Sequence, residues 1–276
     1  MKTFTVKQNT TLKAFTDATY PQGSFAFNSL IKKGDIRVNG VKQKADCPLT
    51  MGDIITFYTT KSQEEKPSHF TVYEDENVLV ADKISGVSSE GLFSELSAVA
   101  PYPVHRLDRN TSGLIVLAKN LAVQDTLVQA FRDKDVEKVY LCLAKNAFKK
   151  PSAQLSAYLS KDDKSALVRI YSAHNAGRVP IKTDYEVVKE YSDYALVKVI
   201  LHTGKTHQIR AHLSFIGCPV LGDTKYGDFS LNKKYNVTRQ VLVAKYLKFN
   251  LKGELAYLNS VRLESRFNAE LPNKTK

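Results

Sequence analysis

Between residues 104 and 118 the chain reads Val-His-Arg-Leu-Asp-Arg-Asn-Thr-Ser-Gly-Leu-Ile-Val-Leu-Ala. One carboxylate, Asp108, stands among cations, amides and hydroxyls, and the run ends in an apolar stretch that predicts a buried strand. A carboxylate beside a buried strand cannot simply point at bulk water, so its charge needs nearby donors. Arg106, Arg109, the Thr111 and Ser112 hydroxyls and the amides of a Gly113 turn are the local candidates. Such a group either anchors its own loop or works as a nucleophile or base. Local spacing alone favours the anchor, because loop-organising aspartates are far commoner than catalytic ones.

The remaining chemistry is scattered. Tyr140 alternates with Val139 and Leu141 and, taken alone, is a packed strand aromatic. Lys138 reads as a surface charge or a phosphate contact. Lys205–Leu213 has helical spacing, which sets His207 and Arg210 on one side. Taken alone, Arg210 is an exposed helix arginine. Asp108 with His105, His174, His202, His207 and His212 suggests a metal-dependent hydrolase, but His207 and His212 lie five apart, not at the i, i+4 spacing of a helical zinc pair.

The elements that must position these groups are legible in part. Asn120 can cap a helix whose Val123, Leu127, Ala130 and Phe131 form an apolar stripe. Strands are expected at 136–144 and 195–201, and a hairpin at 70–81 turns at Glu74–Asn77. Residues 145–182 are polar and basic, with short strands such as Leu167–Tyr171. Further upstream, a helical pattern begins at Thr10–Phe15, and Ser24 can cap a second helix through Lys33, closed by Gly34. Asn39-Gly40 between Ile36–Val38 and Val41–Gln43 is a two-residue hairpin signal. A turn at Leu49–Asp53 leads into a strand at 54–58. Lys61–Ser68 has no apolar residue and reads as a linker. The expected division is therefore 1–60, linker 61–68, and 69–276. Beyond residue 250 the chain alternates apolar and polar, then frays at Asn273–Lys276.

A net charge of +12 points to polyanions, nucleic acid before acidic membrane. No apolar run approaches a membrane span of roughly 20 residues, and Met1–Val6 lacks the apolar core of a signal peptide. Cys47, Cys142 and Cys218 are far apart and read as reduced thiols. The expectation is a cytoplasmic protein.

His105-Arg-Leu-Asp-x-x-Thr-Ser-Gly-Leu114 resembles the signature of the large-subunit-type (RluA-like) RNA pseudouridine synthases. The likeness continues in Lys138-x-Tyr140, in Thr203-Gly-Lys-x-His-Gln-Ile-Arg-x-His212, and in Pro219–Gly227 with its Gly222-Asp223-x-x-Tyr226 core. Three positions depart from the pattern: Ile84 replaces a proline, Lys205 an arginine and Val243 a histidine. Lys205 keeps the charge but loses the bidentate fork. Leu30–Gly40 with Gly52-Asp53 resembles the S4 RNA-binding module, whose Lys32, Lys33 and Arg37 would meet RNA.

The resemblance implies an α+β fold: a catalytic domain with a mixed, largely antiparallel sheet, preceded by a small S4-like α+β domain. It implies an isomerase turning uridine into pseudouridine in RNA, ribosomal RNA ahead of tRNA. The reaction breaks a C–N glycosidic bond, turns the base and forms a C–C bond. Its atoms balance, so no cofactor or metal is expected. Asp108 becomes the nucleophile on a flipped-out nucleotide, Arg210 its salt-bridge partner and Tyr140 the ring that stacks on uracil. Arg106 fills the gap left by the flipped nucleotide and Leu242 packs on the base, while Lys138, Lys205 and His207 join the substrate contacts. RNA is the expected partner, with no membrane, no obligatory protein partner and a monomeric chain. The competing reading is a non-catalytic RNA-binding protein derived from a synthase.

Overall fold

A computed structural model describes residues 1–19, 27, 30–59, 67–162 and 167–272. The Ser24 cap, most of the expected linker and the fraying tail at 273–276 lie outside the described residues. In the first part, β1 (Lys2–Thr5), β2 (Thr10–Thr11), α1 (Leu12–Thr19), β3 (Ile36–Val38), β4 (Val41–Lys42), β5 (Pro48–Leu49) and β6 (Ile54–Phe57) follow in order. Four of these strands form an antiparallel sheet ordered β1-β6-β3-β4, and β2 pairs with β5. Leu12, Leu30, Ile36, Leu49, Ile55 and Phe57 make its separate core. Asn39 and Gly40 both take positive φ, as the two-residue turn requires. Residues 30–33 are helical and Gly34 ends them. Lys32, Lys33 and Arg37 are exposed, Arg37 lying over the Tyr58 ring.

The larger part runs β7 (His69–Glu74), β8 (Val78–Lys83), α2 (Ser89–Leu96), β9 (Tyr102–Pro103), β10 (Ser112–Ala118), α3 (Leu121–Asp133), β11 (Val136–Lys145), β12 (Ser152–Asp162), β13 (Leu167–Tyr171), β14 (Val179–Glu190), β15 (Tyr194–Leu201), α4 (Gln208–Phe215), α5 (Phe229–Lys234), β16 (Leu242–Phe249) and β17 (Leu263–Glu264). Eleven of these strands share one sheet, ordered β13-β12-β14-β15-β11-β16-β10-β8-β7, with β17 on β16 and β9 on β10. All its pairings are antiparallel except β10 with β16. The fold is thus α+β with a mixed, mostly antiparallel sheet.

β10 is apolar on both sides because both sides are covered. Ile115 and Leu117 enter one core with Tyr140, Val199 and Leu213, while Leu114, Val116 and Ala118 enter another with Leu127 and Phe249. Asn120 caps α3 as the sequence suggests, its side chain accepting from the Val123 N–H. By contrast, β12 and β14 are long strands, 11 and 12 residues, where short ones were expected. Lysines and acids occupy their open positions and conceal the alternation. The pattern after residue 250 belongs to a 3-10 helix, Gly253–Ser260.

The last two residues of β8 point to opposite faces of the sheet. Asp82 is fully buried and accepts from Ser265 Oγ and the Arg266 N–H, both at 2.7 Å. Lys83, also fully buried, reaches the other way, toward the loop before β10.

The single parallel pairing matches Ser112 with Val243 and Gly113 with Ala244. Gly113 has φ +111°, and a Cβ there would lie 2.3 Å from the Ala244 carbonyl oxygen. A glycine therefore lets β10 begin against β16. Gly113→Ala is expected to lower stability by about 1–3 kcal/mol, read as the urea midpoint; an unchanged midpoint would show that the two strands can part at no cost.

Candidate active site

Asp108 sits in the loop between β9 and β10, and that loop is fastened on both sides of it. Lys83 Nζ donates to the carbonyls of Val87 (2.8 Å), Arg109 (3.1 Å) and Ile84 (3.3 Å). The Gly86 N–H also donates to Arg109 O. Ser89 Oγ donates to Leu107 O and accepts from the Leu107 N–H. Ser85 Oγ donates to Asn110 O, and Gln240 Nε2 donates to Thr111 Oγ1. His105 Nε2 accepts the Val116 N–H at 3.1 Å, which places its proton on Nδ1. Burial and then the neighbouring Lys138 push His105 down to about 3, so the ring is neutral.

The Asp108 carboxylate is held from across the fold rather than by the local donors suggested by the sequence. Its Oδ2 accepts from Arg210 Nη1 at 2.8 Å. Arg106 instead pairs with Glu90 at 2.8 Å, and the Thr111 hydroxyl takes the Gln240 amide. Arg210 lies on α4 and is buried, not exposed. Asp223 grips its other edge twice, Nε to Oδ2 at 2.7 Å and Nη2 to Oδ1 at 2.9 Å. Asp223 is itself fully buried and accepts from the N–H groups of Lys225 and Tyr226. Burial alone would raise the Asp223 acid, but Arg210 and the two amides outweigh it and hold it below the usual range. Burial would likewise depress Arg210, yet Asp223 and then Asp108 raise it.

Tyr140, on β11, is buried, and among the described residues nothing hydrogen-bonds its hydroxyl. Burial and then the Asp108 charge push its phenol up, so it stays neutral. Val139 pairs with Tyr246 and Tyr140 with Ala244, so the extra residue is Lys245 on β16 and Tyr140 keeps the regular alternation of β11. Leu242 opens β16 and is buried beside it. Lys138 differs from the surface reading: it is buried, donates weakly to Val136 O at 3.3 Å, and lies 5.4 Å from the Phe131 ring centre. Burial and then Lys134 depress its pKa. Its placement beside Phe131 explains the burial, since the aliphatic stem packs while the amine looks into the cleft.

α4 starts at Gln208, later than the sequence spacing suggests, because His207 takes a left-handed conformation at φ 53°. His207 therefore does not share a helix face with Arg210. Its Nδ1 is 2.9 Å from the Tyr226 hydroxyl, which accepts the Val168 N–H. Gln208 knits the preceding turn, taking the Thr203 hydroxyl and the Lys205 N–H while donating to Thr183 Oγ1 and Lys182 O. The histidines do not converge: His105 stacks on Phe131, His174 meets Tyr158, His202 pairs with Asp184 and His212 with Thr183. Among the described residues no group of three or more His, Cys, Asp or Glu could hold a metal ion. The three cysteines are free thiols.

One cleft of about 550 Å³ is lined by Asp108, Tyr140, Arg210, Arg106, Leu242, Lys138, Lys205 and His207. Lys32, Lys33 and Arg37 are not part of it. Sequence reasoning missed the parts played by Asp223, Tyr226 and Lys83. The Gly222-Asp223-x-x-Tyr226 run and the charged pair ending the apolar β8 were the available signals. A buried cation between two acids, beside a neutral phenol and an apolar wall, can hold and aim a carboxylate against a flat ring.

Asp223→Asn breaks the buried pair and is expected to cost about 3–5 kcal/mol in urea unfolding; a loss below about 1 kcal/mol would assign Arg210 to solvent instead. The folded values of His105 and His212, about 3 and about 4, lie below the unfolded value of about 6.5. The unfolded chain thus binds protons first, and their contribution is complete above about pH 6.5 and lost as the pH falls toward those folded values. The urea midpoint should drop between about pH 7 and about pH 5, and less so in His105→Gln.

Most of the chain is similar to known proteins. A family model described as RNA pseudouridylate synthase matches residues 65–215. The ribosomal large subunit pseudouridine synthase C of Vibrio parahaemolyticus is 31% identical over 225 residues, 72% of this chain and 70% of that protein. A protein of Aquifex aeolicus named as an uncharacterized RNA pseudouridine synthase is 33% identical over 247 residues, 78% of this chain and 76% of its own. The solved structure titled Human RNA Pseudouridylate Synthase Domain Containing 1 aligns with a TM-score of 0.60 at 26% identity, covering 71% of this chain and 82% of that one.

Proposed function

This chain belongs to the RNA pseudouridylate synthase family, and we propose that it acts on large-subunit ribosomal RNA through Asp108 as nucleophile on a flipped-out uridine. Membership makes it an isomerase that converts uridine to pseudouridine in RNA. The ribosomal substrate is supported by relatives named as ribosomal large subunit pseudouridine synthases. The role of Asp108 is carried by one observation: its carboxylate accepts from Arg210 at 2.8 Å inside a cleft that Tyr140 and Leu242 also line.

The C1′–N1 bond breaks, the uracil turns, and a C1′–C5 bond forms. A proton leaves C5 and one is gained at N1, so the product has the composition of the substrate. Attack at the ribose or at the base asks the same of the site: an ionised carboxylate, aimed, with water kept from its flanks. Arg210 supplies the aim, and Asp223 fixes Arg210. Tyr140 stacks on the turning base as a neutral phenol, and Leu242 closes the apolar side. Arg106, three-quarters exposed at the mouth, occupies the place of the extruded nucleotide once RNA displaces Glu90. Lys138, Lys205 and His207 meet the backbone along the cleft. Residues 1–60 act as a separate S4-like RNA-binding unit through Lys32, Lys33 and Arg37, whose exposure suits a salt-dependent grip on phosphates.

The deciding variant is Asp108→Asn. Pseudouridine in ribosomal RNA, mapped by mass spectrometry, should fall on the order of 10⁴-fold or more while RNA affinity is kept. Turnover in that variant would refute the nucleophile.

A further inference from the structure

The proposed catalytic groups use only one end of the cleft. From Tyr140 the lining continues along β11 to Lys138, two residues earlier on the same face and about 7 Å away along a strand. It then passes to Val128 and Phe131 on α3 and to Val104 on the incoming loop. Beyond Lys138, already assigned to the RNA backbone, nothing in the handling of the uridine uses this shelf.

The shelf is rigidly backed. The His105 ring stacks on Phe131 with centroids 4.5 Å apart and planes 22° from parallel. His105 is itself fixed by the Val116 N–H, so the ring behind Phe131 is flat, neutral and immobile. Cations gather around it. Lys138 Nζ has a single hydrogen bond among the described residues, a long one, and lies 5.4 Å from the Phe131 ring. Arg132 and Lys134 stand exposed where α3 ends, on the rim of the same cleft. An aromatic surface bordered by lysine and arginine is the composition of single-strand nucleic-acid platforms.

We propose that the Val104–Val128–Phe131 shelf receives the nucleobase of a nucleotide adjacent to the target uridine, with Lys138, Arg132 and Lys134 toward its phosphate. This rests on the reading of the cleft as the uridine site. Two arguments select this occupant: the shelf is continuous with that site, and its rim carries the charge a phosphate needs. The physical gain is direct. Extruding a uridine leaves its neighbour without a stacking partner, and the shelf provides a new one. Because every base has a π-face, the shelf contributes position and binding rather than base identity.

The test uses the full chain and an RNA oligonucleotide covering the uridine it modifies, with the 5′ or the 3′ neighbour made abasic. In the wild-type enzyme one of the two abasic flanks should lower kcat/KM about 5- to 100-fold, the range for one stacked base. In Phe131→Leu, shown folded by its urea midpoint, the same abasic flank should cost little. Val128→Ala provides the same comparison should Phe131→Leu not fold. An unchanged kcat/KM for both abasic flanks in the wild type, or an equal penalty in the variant, overturns the proposal. A wild-type enzyme that forms no pseudouridine even in the intact oligonucleotide removes the uridine reading itself, and the shelf with it.

Discussion

A guanidinium buried between two carboxylates organises everything around the cleft. Arg210 could not sit at 5% exposure with its charge unmatched, since isolated buried ions are driven to neutralise or to leave. Asp223 takes the Nε–Nη2 edge in the planar two-bond geometry that guanidinium favours, leaving Nη1 directed at Asp108. The division of the five donors is what gives the arrangement direction. One acid is fully buried and serves the arginine; the other is about a quarter exposed and is served by it. Lysine at position 210 could not do both, because an ammonium has no fixed edges.

The rest of the fold keeps Asp108 where that one free donor can find it. Neighbours on both sides in the loop are tied by main-chain carbonyls, hydroxyls and a buried ammonium, so the carboxylate is left as the group that turns outward. The parallel contact of β10 with β16 brings Leu242 to the same place. Tyr140 reaches it from β11, whose alternation runs unbroken past the extra residue, Lys245, on β16. Three distant stretches of sequence thus meet through sheet geometry rather than through direct bonds among their side chains.

How much of this the sequence revealed depended on range. Local rules worked where the cause was local: the Asn120 cap, the Asn39-Gly40 turn, the apolar run of β10 and the stripe of α3. The resemblance brought Asp108, Tyr140 and Arg210 to notice, and the cleft holds all three. Long-range pairing was not legible. Asp108 and Arg210 are 102 residues apart, and nothing nearby says that Arg106 prefers Glu90. Lys138 looked like a surface lysine because its burial comes from Phe131, on another element. His207 looked helical because spacing cannot register a left-handed residue. β12 and β14 were hidden by charges on their open positions.

The two buried ionisable groups that end β8 also impose an order on folding. Asp82 is desolvated, which raises its pKa, and its hydrogen-bonding partners arrive 183 and 184 residues later, at Ser265 and Arg266. While a nascent chain is still short of that segment, the carboxylate at the end of β8 has no donors there and favours staying wet or taking up a proton. The strand end that it belongs to also carries Lys83, the clasp of the Asp108 loop. The loop therefore reaches its final anchorage only once the segment around Ser265 and Arg266 has folded back onto β8.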